Sequence, residues 1–145
     1  MAQLVIDNDI LAEEFFEDSN LLGIQCGSEV HQFIWMVNRR FAYDFRYQAG
    51  SEIEFKKRGR HFKYPIFSCR EPHTDLQHFI YANHHDGEYL LPELKHFDFL
   101  WLMKGELKDP QLPSVLQNEL KTIEAVQTVT ILSNDKIINK TRLVL

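Results

Sequence analysis

Apolar and polar positions along the chain change their period several times, and each change marks an element. Val30, Phe33, Ile34, Val37 and Phe41 recur at three- and four-residue steps, which predicts an amphipathic helix over 29–40 with Ser28 at its N-cap. The brief apolar run Leu21-Leu22-Gly23-Ile24-Gln25-Cys26, closed by Gly27, reads as a strand feeding that helix. From Tyr43 to about residue 91 the period falls to two, through Tyr43/Phe45/Tyr47, Ile53/Phe55, Phe62/Tyr64/Ile66 and Leu76 to Tyr81. Turn candidates at Ala49-Gly50-Ser51, Arg58-Gly59 and Asp86-Gly87 separate these runs, so an antiparallel meander is expected. A strand apolar on both faces then follows from His96, with Phe97, Phe99, Trp101 and Met103 on one side and Asp98, Leu100 and Leu102 on the other.

Asp109-Pro110 supplies an N-cap and a favoured first helical residue, ahead of a stripe formed by Leu112, Val115, Leu116, Leu120 and Ile123. The β-branched run Val126–Leu132 closes the pattern as another strand. At the front, Leu4-Val5-Ile6 precedes Asp7, Asn8 and Asp9, whose side chains suit the start of a short acidic helix through Phe15-Phe16. Helices at both ends of a block of strands predict one α+β domain over residues 1–145: a mainly antiparallel sheet of six to eight strands flanked by two or three helices.

Length and composition sharpen this. A chain of 145 residues with 11 Phe can bury one substantial aromatic core and needs no disulfide or metal to stay folded. Cys26 and Cys69 make no CxxC or zinc-type spacing, which predicts free thiols of a reducing compartment. The start of the chain lacks the basic and apolar regions of a secretory signal, and no apolar segment approaches the roughly 18 residues of a membrane span, so a cytoplasmic protein without membrane attachment is expected. Residues 1–38 hold seven acids and no Lys or Arg, whereas residues 39–63 hold eight bases against three acids. The net charge of −5 argues against wholesale coating of nucleic acid and leaves room for a local basic patch.

Leu91-Pro92-Glu93, the spacer Leu94-Lys95-His96 and Phe97-Asp98-Phe99 together resemble the signature of the IPExxxVDY family of small bacterial proteins. Pro92, Glu93 and Asp98 match identically, while Leu91, Phe97 and Phe99 are hydrophobic replacements. The early Leu4-Val5-Ile6-Asp7, the Phe15-Phe16 pair and the helix after the Leu-Gly-Ile run are similar to family members too. The resemblance implies architecture and no particular chemistry. Phe99 has no hydroxyl to act as an acid or nucleophile, so Pro92 is expected to set a corner, Glu93 to accept backbone N–H bonds and Asp98 to satisfy donors beside the next loop.

Candidate chemistry is sparse. His78, His84, His85 and His96 crowd one stretch near Asp86, Glu93 and Asp98, but no pair has the His-x-x-x-His or Cys-rich spacing of a metal site, and no metal or cofactor is expected. Lys56, Lys57, Arg58, Arg60 and Lys63 form a basic cluster interleaved with Phe55, Phe62 and Tyr64, which reads first as a solvated hairpin tip and second as a surface for RNA phosphates and bases. No Gly-x-Ser-x-Gly or phosphate loop occurs, and Cys26, ahead of a helix start, reads as a buried strand-end thiol. Trp35 and Met36, placed opposite the core, could with Phe15 and Phe16 meet a protein partner or a second copy of the chain. The sequence thus predicts a non-enzymatic protein acting through protein–protein contact. An RNA-associated accessory protein using residues 56–63 is the alternative.

Overall fold

The computed structural model describes residues 19–132 apart from 51, 86 and 108. The expected acidic N-terminal helix, with Phe15 and Phe16, and the tail after Leu132 lie outside the described residues.

The elements are β1 (Ser19–Cys26), α1 (Val30–Phe41), β2 (Arg46–Tyr47), β3 (Ile53–Lys57), β4 (Arg60–Tyr64), β5 (Ile66–Arg70), β6 (Gln77–Ala82), β7 (His84–His85), β8 (Glu88–Tyr89), a 3-10 turn (Pro92–Leu94), β9 (Phe99–Lys104), α2 (Leu112–Leu120) and β10 (Val126–Leu132). Six strands form one antiparallel sheet in the order β10-β1-β9-β6-β5-β2, while β3-β4 and β7-β8 are separate hairpins. The fold is α+β, as the patterning predicts.

β9 lies between β1 and β6, and its residues from Phe99 to Met103 are all buried. Alternation sends them to two cores. Phe99, Trp101 and Met103 join Phe33, Ile34 and Val37 of α1 and Leu116 and Leu120 of α2 on the helix side. Leu100 and Leu102 join Phe62 and Tyr64 of the β3-β4 hairpin, with Leu90, Leu91 and Leu94 of the corner, on the other. The domain is therefore three layers: helices, sheet, then hairpin and corner. Arg40 ties the helices together at the surface, pairing with Glu119 and donating from Nε to Thr122 Oγ1 at 3.2 Å.

Several expectations need correction. The central strand begins at Phe99, not His96, because Pro92 opens a 3-10 turn that uses up the residues before it. Phe97 consequently faces away from Phe99, packing with the hairpin-side core directly over Gly23, where an added Cβ would lie 2.7 Å from the ring. The run Phe62/Tyr64/Ile66 is two strands split at Pro65, so β3-β4 leaves the sheet and the meander is interrupted. Ser28 does not cap α1; Glu29 occupies that position with no side-chain hydrogen bond, and Ser28 Oγ lies 3.2 Å from Cys26 Sγ. Asp109 accepts the Gln111 N–H at 2.9 Å in the turn before α2, which starts two residues later than Pro110 predicts, and Val115 faces solvent. Met36, expected opposite the core, is half-buried against it, whereas Trp35 is 58% exposed.

Candidate functional site

The corner is organised by Asn83, fully buried one residue after β6. Its amide nitrogen donates to the carbonyls of Leu94 and Phe97, both at 3.0 Å, and its Oδ1 accepts the Leu91 N–H at 2.8 Å. Two carbonyl acceptors and one N–H donor leave only one orientation of the amide that satisfies all three. The Asn83 backbone joins in, donating to the Asp98 carbonyl at 2.9 Å and accepting the Leu90 N–H at 2.8 Å. A lone Asn between Ala82 and His84 carries no periodic signal, so nothing in the sequence marks this role.

Asp98 is the other clamp. Its N–H donates to the Ile24 carbonyl at 2.8 Å, and its Oδ2 accepts the Cys26 N–H at 2.9 Å, where β1 shifts register. The donor it satisfies is thus at the end of β1 rather than beside the loop that follows Asp98. Glu93 is half-buried in the 3-10 turn.

Beyond Asp98 the surface opens into a hollow of ≈480 Å3. Four separated segments wall it: Ser28 to His31 at the start of α1, Pro65, Ala82 with His84 and His85, and Asp98 with Phe99. A second hollow of ≈470 Å3 shares His31, Pro65 and His85 and continues to Tyr47, Glu52 and Lys63. Together they make one open groove carrying three imidazoles. Glu29 and Asp98 line the first hollow, and Glu52, bonded by the Tyr47 hydroxyl, lines the second. That bond holds the Glu52 carboxyl below the usual carboxylate range. His31 and Trp35 are one helical turn apart on the same stripe of α1, and the Arg39 guanidinium lies 4.8 Å over the exposed Trp35 ring.

The other expected site residues are dispersed. His84 and His85 reach the groove, His96 is exposed on the corner, and His78 is fully buried on the helix-facing side of the sheet. His78 Nδ1 accepts from the Trp101 indole at 2.9 Å and its Nε2 lies 2.7 Å from Glu71 Oε2. An indole only donates, so Nδ1 is bare and the proton sits on Nε2, making the His78–Glu71 contact a neutral-donor hydrogen bond rather than an ion pair. Burial lowers the imidazole pKa against the opposing pull of Glu71. Among the described residues no three His, Cys, Asp or Glu side chains gather as ligands for a metal ion.

The basic residues do lie on one hairpin, closed by Arg58 (φ +53°) and Gly59 (φ +76°) in the two-residue turn that matches strand twist. Lys57 pairs with Glu88 at 3.0 Å, Lys63 with Glu54 at 3.2 Å, and Arg60 lies over Phe62 at 5.1 Å. Lys56 and Arg58 are exposed near the turn. Both cysteines are free; Cys26 is buried, and burial pushes the Cys69 thiol up to about 12. No helix among the described residues is long and apolar enough to cross a membrane. Compared with protein-family models and with curated proteins, the chain matches none.

Proposed function

We propose that this chain is a non-enzymatic cytoplasmic protein that works by contact with another protein, and that the imidazole-lined groove beside α1 makes the contact. One observation carries the reading: the groove is open, while Asp98 and His78 are already engaged in holding the fold. Asp98 spends a carboxylate oxygen on the Cys26 N–H, and both nitrogens of His78 are occupied inside the core. A general base needs a lone pair directed at substrate, and a nucleophile needs a base beside it. What the groove does offer is imidazoles, Pro65 and the exposed aromatic face of Tyr47, a mixture suited to a peptide segment. The kinship with the IPExxxVDY family belongs to the same proposal. Its support is that Pro92 and Asp98, two of the identical positions, each have an architectural use in the corner that frames the groove.

Affinity purification at native expression level tests this. The wild-type chain should bring down a stoichiometric protein partner, and His31→Ala/His85→Ala should lose it while Lys56→Glu/Arg58→Glu keeps it. Co-purifying RNA that disappears with Lys56→Glu/Arg58→Glu would replace this reading by the RNA-associated one, which the exposure of Lys56 and Arg58 at the hairpin turn favours. A bound metabolite that the chain converts would overturn both.

A further inference from the structure

We propose that the groove receives an extended partner segment bearing Lys or Arg side chains; the inference rests on the groove being the contact surface. The argument is one of charge. Glu29, Asp98 and Glu52 line the groove, and the one cation among its walls, Lys63, lies 3.2 Å from Glu54 while also attracting Glu52, so carboxylates outnumber cations there. The hydrogen bonds that Asp98 and Glu52 accept come from a backbone N–H and a phenol, neutral donors that leave each carboxylate its charge. The N-terminus of α1 opposes this with about half a positive charge, too little to reverse the sign. The other basic residues of the β3-β4 hairpin are not among the groove's walls.

Shape narrows the partner further. The two hollows share His31, Pro65 and His85, with Glu29 and Asp98 lining one and Glu52 the other, so the carboxylates suit a segment carrying more than one cation rather than a single compact ion. The imidazoles can donate to or accept from the segment's backbone. Beside Glu52 the Tyr47 ring, 45% exposed and set against Phe67 at 5.7 Å, offers a fixed aromatic face to a guanidinium or ammonium group.

Fluorescence anisotropy of the full chain with three labelled peptides of one Gly/Ser/Val framework, carrying Lys and Arg, Gln, or Glu at the same positions, tests the charge requirement. The basic peptide should bind about tenfold or more tighter than the Gln peptide, weaken as salt rises, and lose about tenfold with Glu29→Lys/Glu52→Lys. Arg58→Glu, outside the groove, should leave its affinity unchanged. Equal binding of the three peptides, preference for the acidic one, or binding of none overturns the proposal. A cellular partner lost with His31→Ala/His85→Ala but indifferent to salt and to Glu29→Lys/Glu52→Lys would overturn the cationic segment and leave the groove as contact surface. Basic-peptide binding untouched by every groove substitution would overturn both.

Discussion

Replacing Asn83 by Ala removes the hub of the Pro-Glu corner, and the cost can be worked from its three partners. The Leu91 N–H and the carbonyls of Leu94 and Phe97 lose their side-chain bonds, made at 2.8, 3.0 and 3.0 Å, and Leu91 and Leu94 are themselves buried. A buried polar group left unpaired costs about 1–3 kcal/mol. Water can reach the half-buried Phe97 carbonyl region more easily than the other two, so a total of about 3–5 kcal/mol is expected, a large share of the 5–15 kcal/mol typical of a domain. Urea unfolding should show it as a lowered midpoint with an unchanged slope. Asn83→Asp separates hydrogen bonding from mere volume: the shape is kept and the Leu91 acceptor remains, but a carboxylate oxygen then faces two carbonyl oxygens. That site raises the new carboxyl's folded pKa above the unfolded value near 3.9, so the variant's deficit against wild type should be smallest near pH 4 and grow as pH rises. A loss under about 1 kcal/mol for Asn83→Ala, or an Asn83→Asp deficit that does not depend on pH, would refute the account of the corner.

The remaining predictions concern the two sides of the sheet. His78 is held neutral with its folded pKa below the ordinary 6.5, so its stabilising contribution is complete above that value and falls as pH drops through it. Between pH 7.5 and 5.5, wild type should lose up to about 1.4 kcal/mol more in urea unfolding than His78→Gln, and an equal loss in the two would show that His78 charges without penalty. Tyr43, Cys69 and Glu71 are the titratable neighbours, and burial raises the first two away from this range. Gly23→Ala should cost about 1–3 kcal/mol because the Phe97 ring occupies the space of the new methyl, and Phe97→Leu in the same chain should recover part of it; a neutral Gly23→Ala would mean the ring moves freely.

How far the sequence specifies this fold depends on how local each cause is. α1, β1, β9 and β10 follow from periodicity and β-branched content, and the β3-β4 hairpin from Arg58-Gly59, because each signal lies within the element it forms. Pro65 is also local, yet an alternating run on both sides of it reads as continuous unless the missing N–H is allowed to end the strand. The turn of Phe97 to the hairpin side depends on Gly23, far away in sequence, being bare enough to accept the ring. Asn83 and His78 are single polar residues whose partners lie on other strands, so no spacing rule could identify them.

The groove is the extreme of that progression, because its walls come from segments separated along the chain that meet only after the sheet has formed. Yet one of the motif residues is part of it. Asp98 bonds the end of β1 through the Cys26 N–H and, four residues beyond that bond, α1 begins, whose first residues also line the groove. Asn83 holds the corner from the end of β6 and is followed at once by His84 and His85. The two clamps that fix the Pro-Glu corner therefore also set the spacing between the imidazoles and the carboxylates. Side chains that aim a strand and side chains that shape the proposed contact surface are here the same few residues, so a change at Asp98 would alter fold and groove together.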